Sequence, residues 1–259
     1  MLHIKKEDCC GCGACMNACR KGAIRMVQDG EGFWYPQGNK RLCTECGRCS
    51  QVCPLKIQTQ NQQERFFYGA QAKEERIRYG SSSGGVFSLL ARYVFQKEGV
   101  VYGAAYDENM EVVHRAAFTM EQLEALKRTK YVQSSPGTVY REIEEWLGKG
   151  RWVLFCGTPC QAHALKVYLK RSYDRLLLVD LVCYGTPSPG IWKAYVKYLE
   201  NRHGGKMSDF RFRDKRNRDN GHTRSYVIDG SEYTASLYHD IYCKMYFANY
   251  TLRPSCYFT

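Results

Sequence analysis

Five cysteines fall within CCGCGACMNAC at residues 9–19, and four more within CTECGRCSQVCP at 43–54. Thiols at such density point to metal ligation, because the thiolate is the ligating form. Cys9, Cys12, Cys15 and Cys19 follow C-x2-C-x2-C-x3-C; Cys43, Cys46, Cys49 and Cys53 repeat it, with Pro54 next. This is the spacing of paired 4Fe–4S sites, in which three cysteines wrap one cube and the fourth reaches the other. Cys9, Cys12, Cys15 and Cys53 are therefore expected to hold one cluster, and Cys43, Cys46, Cys49 and Cys19 the second. Small neighbours at Gly11, Gly13 and Gly47 let backbone amides approach the sulfurs. Cys10 is left over and reads as a neighbour, not a ligand. Arg20 stands where a proline usually follows the first run, which alters the turn and removes no ligand. Two structural zinc sites are the competing reading, although zinc knuckles rarely carry two full copies of this spacing.

The elements that must position these cysteines are short. AIRMVQDGEGFWYP between the runs reads as strand, turn and strand around Asp29-Gly30. Residues 1–60 are thus expected to form a small ferredoxin-like module, which stores and passes single electrons without substrate chemistry of its own. The polar stretch 57–65 reads as a linker to a second domain over 61–259.

Bulk properties narrow the setting. The chain has 259 residues and 14 cysteines. No apolar run approaches the roughly 20 residues of a membrane span, and the first residues lack a secretory pattern. Cysteines in that context imply a cytoplasmic, reducing environment and no disulfide framework. The formal charge is +12; eight ligand thiolates and two oxidised cubane cores would bring it to roughly +8. That charge suits an acidic ferredoxin partner or an anionic cofactor. FRFRDKRNRD at 210–219 is the one dense basic run, and a solvated face or loop is its plain reading.

In the second domain, RFFYGAQAK reads as a strand and Ser81–Gly85 as the loop before a helix. That helix carries Val86, Leu89, Leu90, Tyr93 and Val94 at helical spacing and stops near Gly99. VVYGAAYD is a strand. Two later segments repeat one design: an apolar strand runs through Cys156 and Gly157-Thr158-Pro159 into a helix, and another through Cys183 and Gly185-Thr186-Pro187. Threonine caps helices and proline suits the first helical position. The fold class is α/β (α+β), with a mostly parallel sheet covered by helices after the small module. Ligands gather at the carboxyl ends of such strands, where both GTP turns would sit. A helix N-terminus there suits a phosphate and would lower the thiol pKa of Cys160; Cys160 as a small buried residue is the equal alternative. Cys183 reads as core. Gln161 has an amide for a ring edge, or a solvent-facing one.

Together the two cysteine runs, SSSGGVFS, TKYVQS at 129–134, VLFCGTPCQ at 153–161, VCYGTPSP at 182–189 and FRFRDK at 210–215 resemble the coenzyme F420 hydrogenase/dehydrogenase beta-subunit family. The likeness runs nearly the whole chain in one order. It implies an iron–sulfur flavoprotein oxidoreductase that uses FAD. Matched position by position, Ser82, Ser83, Gly84, Gly85, Lys130, Gly157, Thr158, Pro159, Cys160 and Gln161 would contact the flavin, with Cys160 also the catalytic candidate. Family members reduce or oxidise F420, or reduce a double bond in chlorophyll-type pigments. The family continues after LRPSCY with another cysteine and a glycine–tryptophan-rich motif, so a chain ending Tyr257-Phe258-Thr259 is expected to be a shortened form with an incomplete flavin site.

Three functions follow. The chain is expected to be an enzyme passing electrons between the clusters and FAD, and on to ferredoxin, an F420-type or an organic acceptor. The alternative is a subunit that relays electrons to a partner oxidoreductase. Nucleic-acid binding through the basic run has no recognisable motif behind it.

Overall fold

The computed structural model describes residues 4–57, 66–216 and 221–257. Most of the expected linker lies outside these residues. The amino-terminal module holds α1 (Ala14–Ala18), an antiparallel hairpin of β1 (Ile24–Gln28) and β2 (Trp34–Gly38), and α2 (Arg48–Gln51). The hairpin closes as its sequence implies: the Asp29 carboxylate accepts the amides of Glu31 and Phe33.

α3 (Glu75–Tyr79) and α4 (Val86–Gln96) follow. The aromatic-rich segment expected to be a strand is irregular, and Phe66, Phe67 and Tyr68 are exposed. With no neighbouring strand to take its amides, it binds only at its end, where Ala72 N–H donates to the Gly84 carbonyl. α4 begins where predicted. Its buried stripe, however, is Ser88, Ala91 and Val94, while Val86 and Tyr93 face outward.

The main sheet contains β3 (Val100–Tyr106), β4 (Val112–Ala117), β5 (Val153–Gly157) and β6 (Leu176–Asp180), in the order β4-β3-β5-β6. β3, β5 and β6 are parallel; β4 is an antiparallel edge. β5 is buried almost throughout, as a strand covered on both faces should be. α5 (Met120–Leu126), α6 (Val139–Gly148) and α7 (Pro159–Leu169) pack around the sheet.

The two GTP turns differ. Thr158 caps α7 with Pro159 in its first turn, as expected. The second helix, α8 (Pro189–His203), starts later: Ser188 is its cap and Pro189 its first residue. Ser188-Pro189 supplies the same capping chemistry as Thr-Pro, which frees Thr186-Pro187 to pair elsewhere. Pro187 bridges to Leu252, and the Thr186 carbonyl accepts the amide of Arg253.

A second sheet has no counterpart in the sequence-based reading. β7 (Met207–Asp214), β8 (Thr223–Ile228) and β9 (Ser231–Ser236) form an antiparallel unit, followed by α9 (Ile241–Phe247). The basic run therefore begins as a strand, with Phe210, Phe212 and Asp214 buried alternately and Arg211 and Arg213 half-buried between them. Period-2 burial explains the FRFR pattern better than a solvated face.

The small module is cored together with the main sheet. Cys12, Ala14 and Val52 share an apolar cluster with Val100, Tyr102, Phe155, Ile143 and Leu165. Asn17 Nδ2 donates to Gly137 O at 2.8 Å. Arg141 donates to the carbonyls of Asn17 at 2.6 Å, Met16 at 2.7 Å and Cys19 at 3.1 Å. The Ser188 hydroxyl donates to Glu31 O across the same boundary.

Candidate functional site

The cysteine runs adopt one backbone design twice. Gly13 precedes α1 with φ 73° and ψ 2°; Gly47 precedes α2 with φ 72° and ψ −6°. A residue with a side chain resists this left-handed geometry, so glycine at both places lets each loop fold around its sulfurs. Gly11 has positive φ as well. The fourth cysteine of each run then leaves the helix in extended geometry.

Two cavities divide the cysteines as the spacing does. One is lined by Cys9, Cys12, Cys15 and Cys53, together with Cys10, Gly11 and Gly13. The other is lined by Cys43, Cys46, Cys49 and Cys19, with Arg20, Lys21, Gly47 and Arg48 at its rim. Among the described residues, no group of His, Cys, Asp or Glu is drawn together as a site for a metal ion. The donor set nevertheless fits two four-thiolate cubes, because each cavity is walled by four sulfurs and by glycine loops that bring amides near. Burial and the neighbouring Cys9 push the Cys15 thiol up to about 12. Thiols crowded this way away from water ionise readily only against a cationic core.

The two sites differ in exposure. Cys9, Cys12, Cys15 and Cys53 are buried, whereas Cys46 is exposed. The Arg48 amide beside Cys46 lowers its thiol pKa. The buried site faces the second domain, where the Cys10 and Cys160 thiols hydrogen-bond to each other.

That contact reverses an expectation. Cys160 lies in the first turn of α7, yet its pKa is raised well above the ordinary range. The hydrogen bond with Cys10 and burial outweigh the helix N-terminus, so the group is a protonated thiol. Thr158 Oγ1 lies 3.1 Å from its sulfur. Gln161 is buried and faces neither a vacant ring edge nor solvent: its Oε1 accepts Thr158 N–H at 3.1 Å, and its Nε2 reaches Ser134 Oγ at 3.0 Å. Gly157 fits under Phe155, where a Cβ would come within 2.8 Å of the ring.

The serine–glycine loop is also occupied by its own chain. Ser82 Oγ accepts the amide of Thr129 at 2.9 Å. A Cβ on Gly84 would meet Ala70 O at 2.7 Å, and one on Gly85, whose φ is 83°, would meet Ile77 at 2.9 Å. Ser83 is exposed and lends its carbonyl to Lys215 at 2.7 Å. These glycines have a packing reason independent of any ligand. Lys130 donates to Lys127 O at 2.7 Å and lies 5.6 Å from the centroid of the Tyr106 ring. Burial, with Arg128 adding repulsion, pushes its pKa down to about 7.

Cys183, read as core, is exposed in the loop after β6 beside Leu181, Val182 and Tyr184. Because α8 starts late, this loop is longer than the first GTP turn and does not seat its cysteine under a helix. The residue that sequence reading missed is Arg253. It is 1% exposed and joins Cys9 O, Gln133 and Trp34 O. A lone arginine in LRPSC offers no signal of such burial.

A paired cysteine-lined module docked on an α/β domain defines an iron–sulfur protein of the dicluster type. Residues 8–57 match the 4Fe-4S dicluster domain, and residues 150–259 match the carboxyl-terminal region of the coenzyme F420 hydrogenase/dehydrogenase beta subunit. The chain belongs to the coenzyme F420 hydrogenase/dehydrogenase beta-subunit family, in a form that carries an amino-terminal dicluster domain. It is 27% identical over 193 residues to the F-type subunit of the F(420)H(2) dehydrogenase of Methanosarcina mazei, covering 70% of this chain and 54% of that protein. It is 33% identical over 53 residues to an uncharacterized ferredoxin of Methanocaldococcus jannaschii, covering 20% of this chain and 68% of the ferredoxin. The chain thus spans about half the length of its dehydrogenase relative. Among solved structures, the F420-reducing [NiFe] hydrogenase complex from Methanosarcina barkeri aligns over 65% of this chain and 59% of its own, at 19% identity and a TM-score of 0.43. No described helix is long and apolar enough to cross a membrane.

Proposed function

We propose that this chain is an iron–sulfur flavoprotein oxidoreductase that passes electrons between two 4Fe–4S clusters and FAD, and on to a ferredoxin, F420-type or organic acceptor. One observation carries the reading: the cysteines divide between two cavities, and the buried one touches the first GTP turn through Cys10 and Cys160. Bound clusters carry electrons singly, and a bound flavin joins such carriers to a two-electron acceptor.

The residues have distinct parts. Cys9, Cys12, Cys15 and Cys53 would hold the inner cluster, and Cys19, Cys43, Cys46 and Cys49 the outer one. The exposed sulfur of Cys46, rimmed by Arg20, Lys21 and Arg48, suits an acidic redox partner. Gly157, Thr158, Pro159, Cys160 and Gln161 would face the flavin, with the free amides of α7 toward an anionic group. Ser82, Ser83, Gly84 and Gly85 would line its other side. Cys160 holds its proton on Sγ. Lys130, poised near neutrality, would carry positive charge where a reduced flavin needs it. A cytoplasmic setting agrees with reduced thiols and reactive clusters.

A second reading draws on a different observation. Ser82 and Gln161 spend their side-chain polar atoms on Thr129, Thr158 and Ser134, which suits a subunit that only relays electrons to a partner oxidoreductase. Anaerobic purification with an optical spectrum and iron, sulfide and flavin assays separates the two. About eight irons with stoichiometric flavin, and turnover without added subunits, are expected. Iron without flavin, even after FAD titration, would leave the relay reading; zinc without labile sulfide would overturn both.

A further inference from the structure

Two guanidinium groups are buried in this protein, and they are neutralised differently. Arg224 is 8% exposed and meets the carboxylate of Asp240 at 2.5 Å. Arg253 is more deeply buried, at 1% exposure, and all its hydrogen-bond partners among the described residues are neutral. Its Nε donates to Cys9 O at 2.6 Å, one terminal nitrogen to Gln133 Oε1 at 3.0 Å and the other to Trp34 O at 3.0 Å. The rings of Tyr35 and Phe33 flank it, 4.2 and 5.4 Å from centroid to guanidinium carbon.

Carbonyls and ring faces soften a buried cation without cancelling it; a desolvated charge needs an opposite charge nearby. The nearest candidate anion is built from thiolates. Cys9, whose carbonyl takes the shortest of these bonds, lines the inner cavity with Cys12, Cys15 and Cys53. The loop between them rests on the guanidinium, since a Cβ on Gly11 would come within 2.9 Å of a terminal nitrogen of Arg253. Four thiolates around an oxidised cubane core carry net negative charge, and one more electron deepens it.

We propose that Arg253 is the counter-charge of the cluster held by Cys9, Cys12, Cys15 and Cys53, and that it raises the reduction potential of that cluster relative to the outer one. A fixed positive charge stabilises the reduced state more than the oxidised state. Arg253 acts through electrostatics and through Cys9, so it is a positioning residue. This inference rests on the iron–sulfur reading of the inner cavity, and the metal analysis of unmodified protein tests that reading separately.

The test is an EPR-monitored redox titration of anaerobically purified holoprotein, with dithionite supplying electrons through mediators. Wild type, Arg253→Gln, Arg253→Met and Arg253→Lys are compared after iron and sulfide analysis. Either neutral variant should lower the potential of one cluster by about tenfold in its one-electron equilibrium, about 59 mV, leaving the other in place. Arg253→Lys should stay near wild type. Loss of one cluster from the neutral variants, with both kept in Arg253→Lys, also supports the assignment. It is overturned if the potentials do not move, if both clusters shift equally, or if lysine behaves like glutamine and methionine, including a shared failure to fold.

Discussion

The thiols of Cys10 and Cys160 share a hydrogen bond, although one belongs to the cysteine-rich module and the other to the first turn of α7. Their pairing ties the rim of the inner cavity to the turn proposed for the flavin. It also gives Cys10 a role that needs no metal. Cys10→Ser should therefore keep about eight irons per chain, measured by iron and sulfide analysis of anaerobic protein. Loss of half the iron would make Cys10 a ligand.

Gln161 closes a capping box with Thr158 and is buried against Ser134. Gln161→Ala removes these bonds and strands the Ser134 partner, a loss of about 1–3 kcal/mol. At about 2–4 °C per kcal/mol for a chain of this size, anaerobic melting should fall by several degrees. An unchanged melting temperature would show that the box is dispensable.

Lys130 yields a pH dependence. Its pKa is about 7 in the fold and 10.5 without it. Below pH 7 both states hold the proton, and the cost of burying the charge is fully present. Between pH 7 and 10.5 the unfolded chain binds the proton that the folded chain has released, so stability rises with pH. Lys130→Met should lose that rise. Denaturant midpoints at about pH 7 and about pH 9.5 check it; a difference between variant and wild type that is the same at both pH values would refute the burial of this amine.

Arg141 grips three carbonyls at the end of α1. Arg141→Ala leaves them to water or to nothing. Hydrogen exchange should quicken across residues 9–19 and hold steady in β5, read by mass spectrometry on holoprotein. Equal protection in both forms would mean that the apolar contacts of Cys12, Ala14 and Val52 dock the module unaided.

Legibility followed the range of each physical signal. Cysteine spacing is local, and the two cavities group the same residues that the spacing groups. Thr158-Pro159 is likewise a local cap, and it caps α7 in the fold. Thr186-Pro187 carries the same dipeptide yet is diverted, because Ser188-Pro189 caps equally well and Leu252 claims Pro187. RFFYGAQAK has strand-forming residues but no strand beside it. In FRFRDK, charge hid an alternation of buried phenylalanines. Gly84 and Gly85 looked like a place for a ligand backbone and are filled by residues 70–72 and 77. Arg253 was invisible because its burial is made by Cys9, Trp34 and Gln133, all distant in sequence.

The bond from Arg253 to Cys9 spans 244 residues, and that span sets an order of events during synthesis. At about 5–20 residues per second, the cysteine-rich module leaves the ribosome roughly 12–50 seconds before its arginine exists. Cysteines thus wait in the cell before the wall that will bury them can close. Assembly machinery has that interval in which to load the inner site while its rim is open. Once residue 253 docks, the fold seals over what was delivered, so maturation and folding are coupled through timing as well as through energy.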